Sequence, residues 1–246
     1  MKNKKIITFV LAIALLYSCN TKKGYVKFDK RSDELIATEK VKSFFKLNPH
    51  PSIVLRVPQS TSGVTQSDQN SYIYNAIEKE LVIAGFNLKD RGLFNQVLNS
   101  QASLDYSKIK DLTGTDLILE LVKVDMKVPY NTNIAYMKND KQVILKRINY
   151  MRYGAIIEFK LILVKNNEYG GSFSFTYTPC SDKNDNCYCK VPYKYAGKFY
   201  PDVKANFCRI DKRKNAIISA YDFIPQDDFE KFVREGVKKV ISSLNQ

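Results

Sequence analysis

Two neighbouring runs in the second half of the chain alternate with a period of two, and this constrains the fold more than any other feature. In Ala155–Val164, Ile157, Phe159, Leu161 and Leu163 share one side, while Glu158 and Lys160 fall on the other. In Gly171–Thr178, Phe173, Phe175 and Tyr177 alternate with Ser172, Ser174, Thr176 and Thr178. Successive strand residues point to opposite faces, so each run is predicted to be a strand with one covered face. Residues 165–170, Lys-Asn-Asn-Glu-Tyr-Gly, supply the turn between them. The end of the chain supplies a cover for such a sheet. Phe229, Phe232, Val233, Gly236, Val237, Val240, Ile241 and Leu244 recur at three- and four-residue steps, the stripe of an amphipathic helix. Lys231, Arg234, Lys238 and Lys239 lie off the stripe, Pro225 precedes it, and Asp227 or Asp228 is the expected cap. The stripe reads as a core face.

Upstream, strands and helices follow one another. Ile53–Val57 reads as a buried strand stopped by Pro58. Asp68–Ala84 is predicted to be a helix with Tyr72, Ile73, Ala76, Ile77 and Leu81 on one stripe, capped by Ser67 or Asp68 and closed by Gly85. A short strand over Phe86–Asp90, helices over Gly92–Leu98 and Asp105–Leu112, and a strand over Asp116–Val124 complete the pattern. Asp33–Leu47 is expected to be helical, ended by Pro49. The order implies an α/β (α+β) fold, a mixed sheet flanked by helices.

The N-terminus reads as an address. Lys2, Lys4 and Lys5 precede an apolar run from Ile6 to Leu16, which is too short to span a bilayer, since spanning takes about 20 residues. The run closes on Leu16-Tyr17-Ser18-Cys19, which resembles the bacterial lipobox. That resemblance implies cleavage after residue 18 and acylation of Cys19, and two or three acyl chains give stable anchoring. Loss of Lys2, Lys4 and Lys5 lowers the formal net charge from +14 to +11, still strongly basic. No acidic residue follows Cys19 directly. By lipoprotein sorting rules this fits the cell envelope, in the outer membrane facing the periplasm. Residues 20–32 are polar and basic and suit a tether.

Common chemistries lack their residues. The only histidine, His50, sits in Asn48-Pro49-His50-Pro51, which argues against a Ser-His-Asp triad, a multi-histidine zinc site or an HExxH helix. Phosphate-binding GxxxxGK[ST] and GxGxxG loops are absent from the sequence. Neither a catalytic residue nor a cofactor is expected. The nearest carboxylate groupings, Asp33-Glu34, Asp90-Arg91 and Asp227-Asp228, read more simply as caps or salt bridges.

Residues 84–91, Ala-Gly-Phe-Asn-Leu-Lys-Asp-Arg, followed by Leu93 and Val97-Leu98, resemble the helix–strand–(D/E)R–helix segment of the CsgG-like family. That family includes the curli secretion-channel lipoprotein and resembles the TolB N-terminal domain and the LpoB cell-wall lipoprotein. Gly114-Thr115-Asp116-Leu117-Ile118-Leu119-Glu120 is similar to its next segment, with Thr115 in place of a small Ala and Leu121 in place of Gly. The hairpin over 156–175 and the terminal helix over 228–244 match the family's later elements. The resemblance covers roughly half of the mature chain and implies a periplasmic domain for binding or assembly, with no catalytic residue. The implied organisation is a signal at 1–18, an anchor, tether and helix at 19–48, and a CsgG-like domain at 49–246 with a Cys-rich insertion at 179–225.

The insertion holds Cys180, Cys187, Cys189 and Cys208, spaced C-x6-C-x-C-x18-C. In an exported chain four such cysteines are expected to form two disulfides, with three pairings open. An all-cysteine zinc site is the competing arrangement, although the spacing is no standard knuckle. Tyr188, Lys190, Tyr193, Lys194, Tyr195, Lys198 and Tyr200 interleave aromatic and basic groups, a pattern for an anionic envelope component or an acidic protein partner. Export argues against nucleic acid. The solvated-loop alternative, aromatic stems folded back, stays open beside it. Three functions follow: a non-enzymatic outer-membrane lipoprotein serving envelope assembly, secretion or cell-wall synthesis; a pore-forming subunit using residues 125–155 and 179–222; or an enzyme on envelope polymers. The first is expected, because the 125–155 window lacks sustained apolar-out alternation.

Overall fold

The computed structural model describes residues 21–57, 71–100, 106–137, 139–144, 148–181, 188–192, 209–211, 216–218 and 224–245. The strands among them are β1 (Thr21–Tyr25), β2 (Glu34–Ala37), β3 (Ser52–Arg56), β4 (Asn87–Leu88), β5 (Leu117–Thr132) and β6 (Ile134–Met137). They continue with β7 (Gln142–Ile144), β8 (Ile148–Leu163), β9 (Glu168–Tyr177), β10 (Tyr188–Pro192), β11 (Arg209–Asp211) and β12 (Ala216–Ile218). The helices are α1 (Glu39–Leu47), α2 (Ser71–Ile83), α3 (Arg91–Ser100), α4 (Tyr106–Thr113) and α5 (Gln226–Leu244). The chain divides into two compact units.

The larger unit comprises Lys30–Val128, Tyr153–Thr178 and Phe223–Gln246. Its strands run β2-β9-β8-β5-β3-β4, with β3 parallel to both β4 and β5, and β9 antiparallel to β2 and β8. Ile53, Val54 and Leu55 of β3 are all buried. A continuous apolar run of this kind fits a strand covered on both sides. One cover is α2 and α5, whose Ile73, Ile77, Leu81, Phe229, Val233 and Val237 join Leu55, Leu119, Phe159, Phe173 and Phe175 in the main core. The other is α3 and α4, where Phe94 and Ile109 meet Val54, Ile118, Ile162 and Val164. Outward-facing Glu158 and Lys160 of β8 are only partly buried, in keeping with the predicted alternation.

Close packing explains two glycines. A side chain on Gly236 would press on the Phe175 ring, with a Cβ 3.1 Å from its nearest atom. A Cβ on Gly171 would overlap the Ile36 carbonyl oxygen, because β2 pairs with β9 at Ala37–Gly171. Between α2 and α5 the buried Glu80 accepts from Arg234 Nε at 2.5 Å and lies 3.7 Å from Lys238 Nζ. That ion pair fixes how the two cover helices meet.

Several expectations are revised. The helix predicted over Asp33–Leu47 begins only at Glu39. Thr38 caps it, its Oγ1 accepting from Val41 N–H, and residues 34–37 instead extend the free edge of β9. The terminal helix has Pro225 at its cap position with no side-chain capping bond, so Asp227 and Asp228 are first-turn residues. They favour the positive helix end without capping it. Gly85 adopts φ +87°, as its predicted closing role requires, and Gly114, just after α4, adopts φ +64°. The caps proposed at Ser67 and Asp68 lie outside the described residues.

The smaller unit comprises Met1–Asp29, Pro129–Arg152 and Pro179–Asp222. Its four-stranded sheet has the order β10-β1-β6-β7, with every pairing antiparallel. β11 pairs antiparallel with β12, which runs parallel to the start of β8 at Ile217–Ile148. The basic segment expected to be a tether therefore holds an interior strand, and Tyr25, Val26 and Phe28 are buried. Residues 179–222 of the expected insertion group with 129–152 and the N-terminal segment.

Candidate functional site

The proposed partner-binding residues begin on β10. Tyr188 stands opposite Tyr25, Cys189 opposite Gly24, and Lys190 opposite Lys23. Tyr193, Lys194, Tyr195, Lys198 and Tyr200 lie outside the described residues, as do Cys19, Cys187 and Cys208. Cys180 is described: it is buried, adopts φ +52°, and its carbonyl accepts from Phe28 N–H at 3.3 Å. It is disulfide-bonded, and every other cysteine lies outside the described side chains. Among the described residues no cluster of His, Cys, Asp or Glu could hold a metal ion.

Around β1 the sheet is organised by aromatic and turn chemistry. Tyr25 stacks on Tyr136 with ring centroids 5.1 Å apart, and its hydroxyl donates to Asp140 Oδ1 at 2.5 Å. That hydrogen bond to an acceptor carboxylate, then burial, then the charge of Asp140, push the Tyr25 phenol up to about 12. Asp140 itself has φ +61°, a conformation that Asp tolerates in tight turns, and its N–H donates to Met137 O at 2.9 Å. The β6–β7 turn thereby aims one carboxylate at the first strand. At the edge of this sheet Ile144 of β7 is 68% exposed, and Lys141, just before β7, is exposed too.

The larger unit contains a pocket of about 430 Å³, lined by Lys40 and Phe44 of α1, Lys110, Asp116, Leu163 and Glu168, among others. Asp116 is its most tightly held group. Its Oδ2 accepts from Ser52 Oγ at 2.7 Å and Ser52 N–H at 3.0 Å, and its Oδ1 accepts from Lys110 at 2.9 Å. Burial pushes this carboxyl up, but the hydrogen bonds from Ser52 and Lys110 outweigh it and hold it below the usual range. Across the pocket Lys40 donates to Glu168 at 2.8 Å and lowers the Glu168 carboxyl. Both carboxylates are ionised and engaged by lysines at neutral pH, so neither is poised to donate a proton. The pocket is thus lined by apolar side chains such as Phe44 and Leu163 together with these lysine–carboxylate pairs.

The residues that carry the family resemblance have structural tasks. Asp90 Oδ1 accepts from Leu93 N–H at 2.7 Å, which caps α3. The Arg91 guanidinium lies over the Tyr74 ring at 4.6 Å and 3.8 Å from Glu78, pinning α3 to α2. Burial pushes the Glu78 carboxyl up. Asp116 ties the start of β5 to the start of β3, and its N–H donates in turn to Ser52 Oγ at 2.9 Å. Asp33 accepts from Thr176 N–H at 3.1 Å and from Lys239 at 2.5 Å. His50 is exposed, with Nδ1 3.1 Å from Gly85 O.

Sequence reading missed one further group. Glu120 is buried on β5 and engages Arg56 of β3, with Lys160 of β8 at 3.9 Å, while Lys123 reaches Glu158 at 3.4 Å. These form a cross-strand charge ladder. Its signal was the outward placing of Glu158 and Lys160, which alone does not reveal their partners on β5.

No family model matches the chain, and no curated protein matches it. Among solved structures it is similar to a variant PelC dodecamer from Paraburkholderia phytofirmans, at 10% identity over 80% of this chain and 90% of that one, with TM-score 0.35. It is similar to lipoprotein GNA1162 from Neisseria meningitidis, at 16% identity over 51% of this chain and 81% of that one, with TM-score 0.33. A third similarity is to the hypothetical protein CT253 from Chlamydia trachomatis, at 7% identity over 79% and 96%, with TM-score 0.32. At these identities and TM-scores the likeness carries no functional inference.

Proposed function

We propose that this chain is a non-enzymatic lipoprotein of the bacterial outer membrane, acylated on Cys19, whose periplasmic part binds a partner as an accessory subunit of envelope assembly, secretion or cell-wall synthesis. The observation that carries this reading is the charged, apolar and Leu16-Tyr17-Ser18-Cys19 succession at the N-terminus. The engaged state of Asp116 and Glu168 supports a binding role for the larger unit. Disulfide pairing of Cys180 with Cys187, Cys189 or Cys208 belongs to the same oxidising compartment.

The pore-forming alternative draws on the grouping of residues 129–152 and 179–222 in one unit. Burial speaks against it. In the second half of β5, Val128 and Tyr130 are buried while Lys127, Pro129 and Asn131 are exposed, the reverse of a lipid-facing strand. β6, β7 and β10 span three to five residues, against about 9–11 for a membrane-crossing strand.

Growth with labelled fatty acid, followed by fractionation, tests the anchor: label on the wild type and none on Cys19→Ala is expected. Unlabelled wild-type protein in the soluble cytosol overturns the reading. Crosslinking and pull-down from the intact envelope then separate the partner classes, with peptidoglycan synthases, a secretion complex or a detergent-resistant ring as distinct outcomes.

A further inference from the structure

We propose that the smaller unit is a docking surface for the headgroups of an anionic phospholipid bilayer. The inference rests in part on the lipoprotein reading, which places Cys19 in the membrane, and adds a second attachment that needs no acyl chain.

Charge is divided unevenly between the units. Residues 19–29, 129–152 and 179–222 carry 17 Lys and Arg against 7 Asp and Glu, whereas 30–128, 153–178 and 223–246 carry 19 against 18. Nearly all of the mature chain's net positive charge, +10 of +11, thus belongs to one unit. Asymmetry of this kind points to a polyanionic surface, and export removes nucleic acid from the candidates.

Reach selects the bilayer. β1 starts at Thr21, two residues after Cys19. An extended chain advances at most about 3.6 Å per residue, so these Cα atoms stand no more than about 7 Å apart. The screening length at physiological salt is about 8 Å. A lipid on Cys19 therefore holds the start of β1 within range of headgroup charge. β1 is also no free tail, because it pairs with β10 on one side and β6 on the other. What holds Cys19 holds this sheet.

Residues 141–147 have the composition of an interfacial segment, which combines apolar and basic residues. Ile144 on β7 is 68% exposed. Lys141 precedes it, and Lys146 and Arg147 follow it in the sequence. Lys27, just past β1, is exposed as well.

The test uses the mature chain, residues 19–246, carrying Cys19→Ala so that no acyl chain contributes. Sedimentation is measured with vesicles of phosphatidylcholine alone and with one-third phosphatidylglycerol. Binding is expected only to the anionic vesicles and is lost at an ionic strength of about 1 M, where screening falls to about 3 Å. Replacing Lys141, Lys146 and Arg147 by Gln is expected to weaken binding roughly tenfold or more. Replacing Lys46, Lys79 and Lys231 by Gln in the larger unit removes the same charge and is expected to change it less than about threefold. Circular dichroism checks that both triple variants fold. Equal binding to both vesicle types, persistence at high salt, or equal effects of the two triple variants overturns the proposal. So does polyglutamate that competes as well as anionic vesicles, since the surface would then be a general acceptor for acidic polymers. Acylation without vesicle binding defeats this inference alone; vesicle binding without acylation defeats the anchor alone.

Discussion

The two units are built on different principles. The larger one buries a sheet between helices, has nearly balanced charge, and draws its order from long apolar patterns such as Phe159, Phe173, Phe175 and Phe229. The smaller one has a sheet of strands three to five residues long, strong positive charge, and contacts such as the Tyr25–Tyr136 stack and the Tyr25–Asp140 hydrogen bond. A unit of the first kind is held by its core. In one of the second kind, a few aromatic and polar contacts carry a larger share, and charge repulsion is left for an outside partner to relieve.

This contrast can be broken most directly in the core of the larger unit. Phe229→Ala is expected to destabilise that unit by about 4 kcal/mol, since the ring is fully buried among Tyr72, Phe232 and the sheet. Denaturant unfolding followed by circular dichroism reads the loss, and a cost below that of an exposed Phe would refute the core assignment. In the smaller unit Phe28→Ala should cost about 3 kcal/mol. Phe28 is buried with its ring edge-on to Tyr130, centroids 5.9 Å apart. An unchanged midpoint would show that residues 26–28 are not integral to the fold.

Arg234→Ala sharpens the comparison further, because it leaves Glu80 buried with only Lys238 nearby. The cost expected is about 2 kcal/mol, below that for a fully buried pair because Arg234 is partly exposed. Arg234→Lys should recover part of it. The smallest effect is a pH effect at Tyr25, whose native value of about 12 lies above the ordinary 10. Its contribution is present in full below pH 10 and is lost as pH rises towards 12, where the unfolded phenol ionises first. Tyr25→Phe should flatten that part of the stability–pH curve; an unchanged slope would dissociate Tyr25 from it.

The same contrast explains what could be read in advance. β8, β9 and α5 were legible because one alternation or one stripe decides both the element and its buried face. Ser172, Ser174 and Thr176 left no doubt about which side of β9 was polar. β1, β6 and β7 were not legible, because Thr21–Tyr25 becomes a strand only by pairing with residues more than 100 positions away. Asn139-Asp140 is a turn signal that was present and unread. So was Thr38-Glu39, which marks the true start of α1. At the candidate site the Gly114-Thr115-Asp116 motif was visible, but its purpose was not: Ser52, the partner that holds Asp116, comes 64 residues earlier.

The pairing of β1 with β10 also bears on the order in which this fold can assemble. In a chain exported as proposed, residues 21–25 would emerge among the first, and their partners at 188–192 only after more than 160 further residues. Until then β1 would have an unfilled edge, which is an invitation to mispairing. A chain of this design would gain from a periplasmic chaperone that shields its opening segment until the late partner arrives.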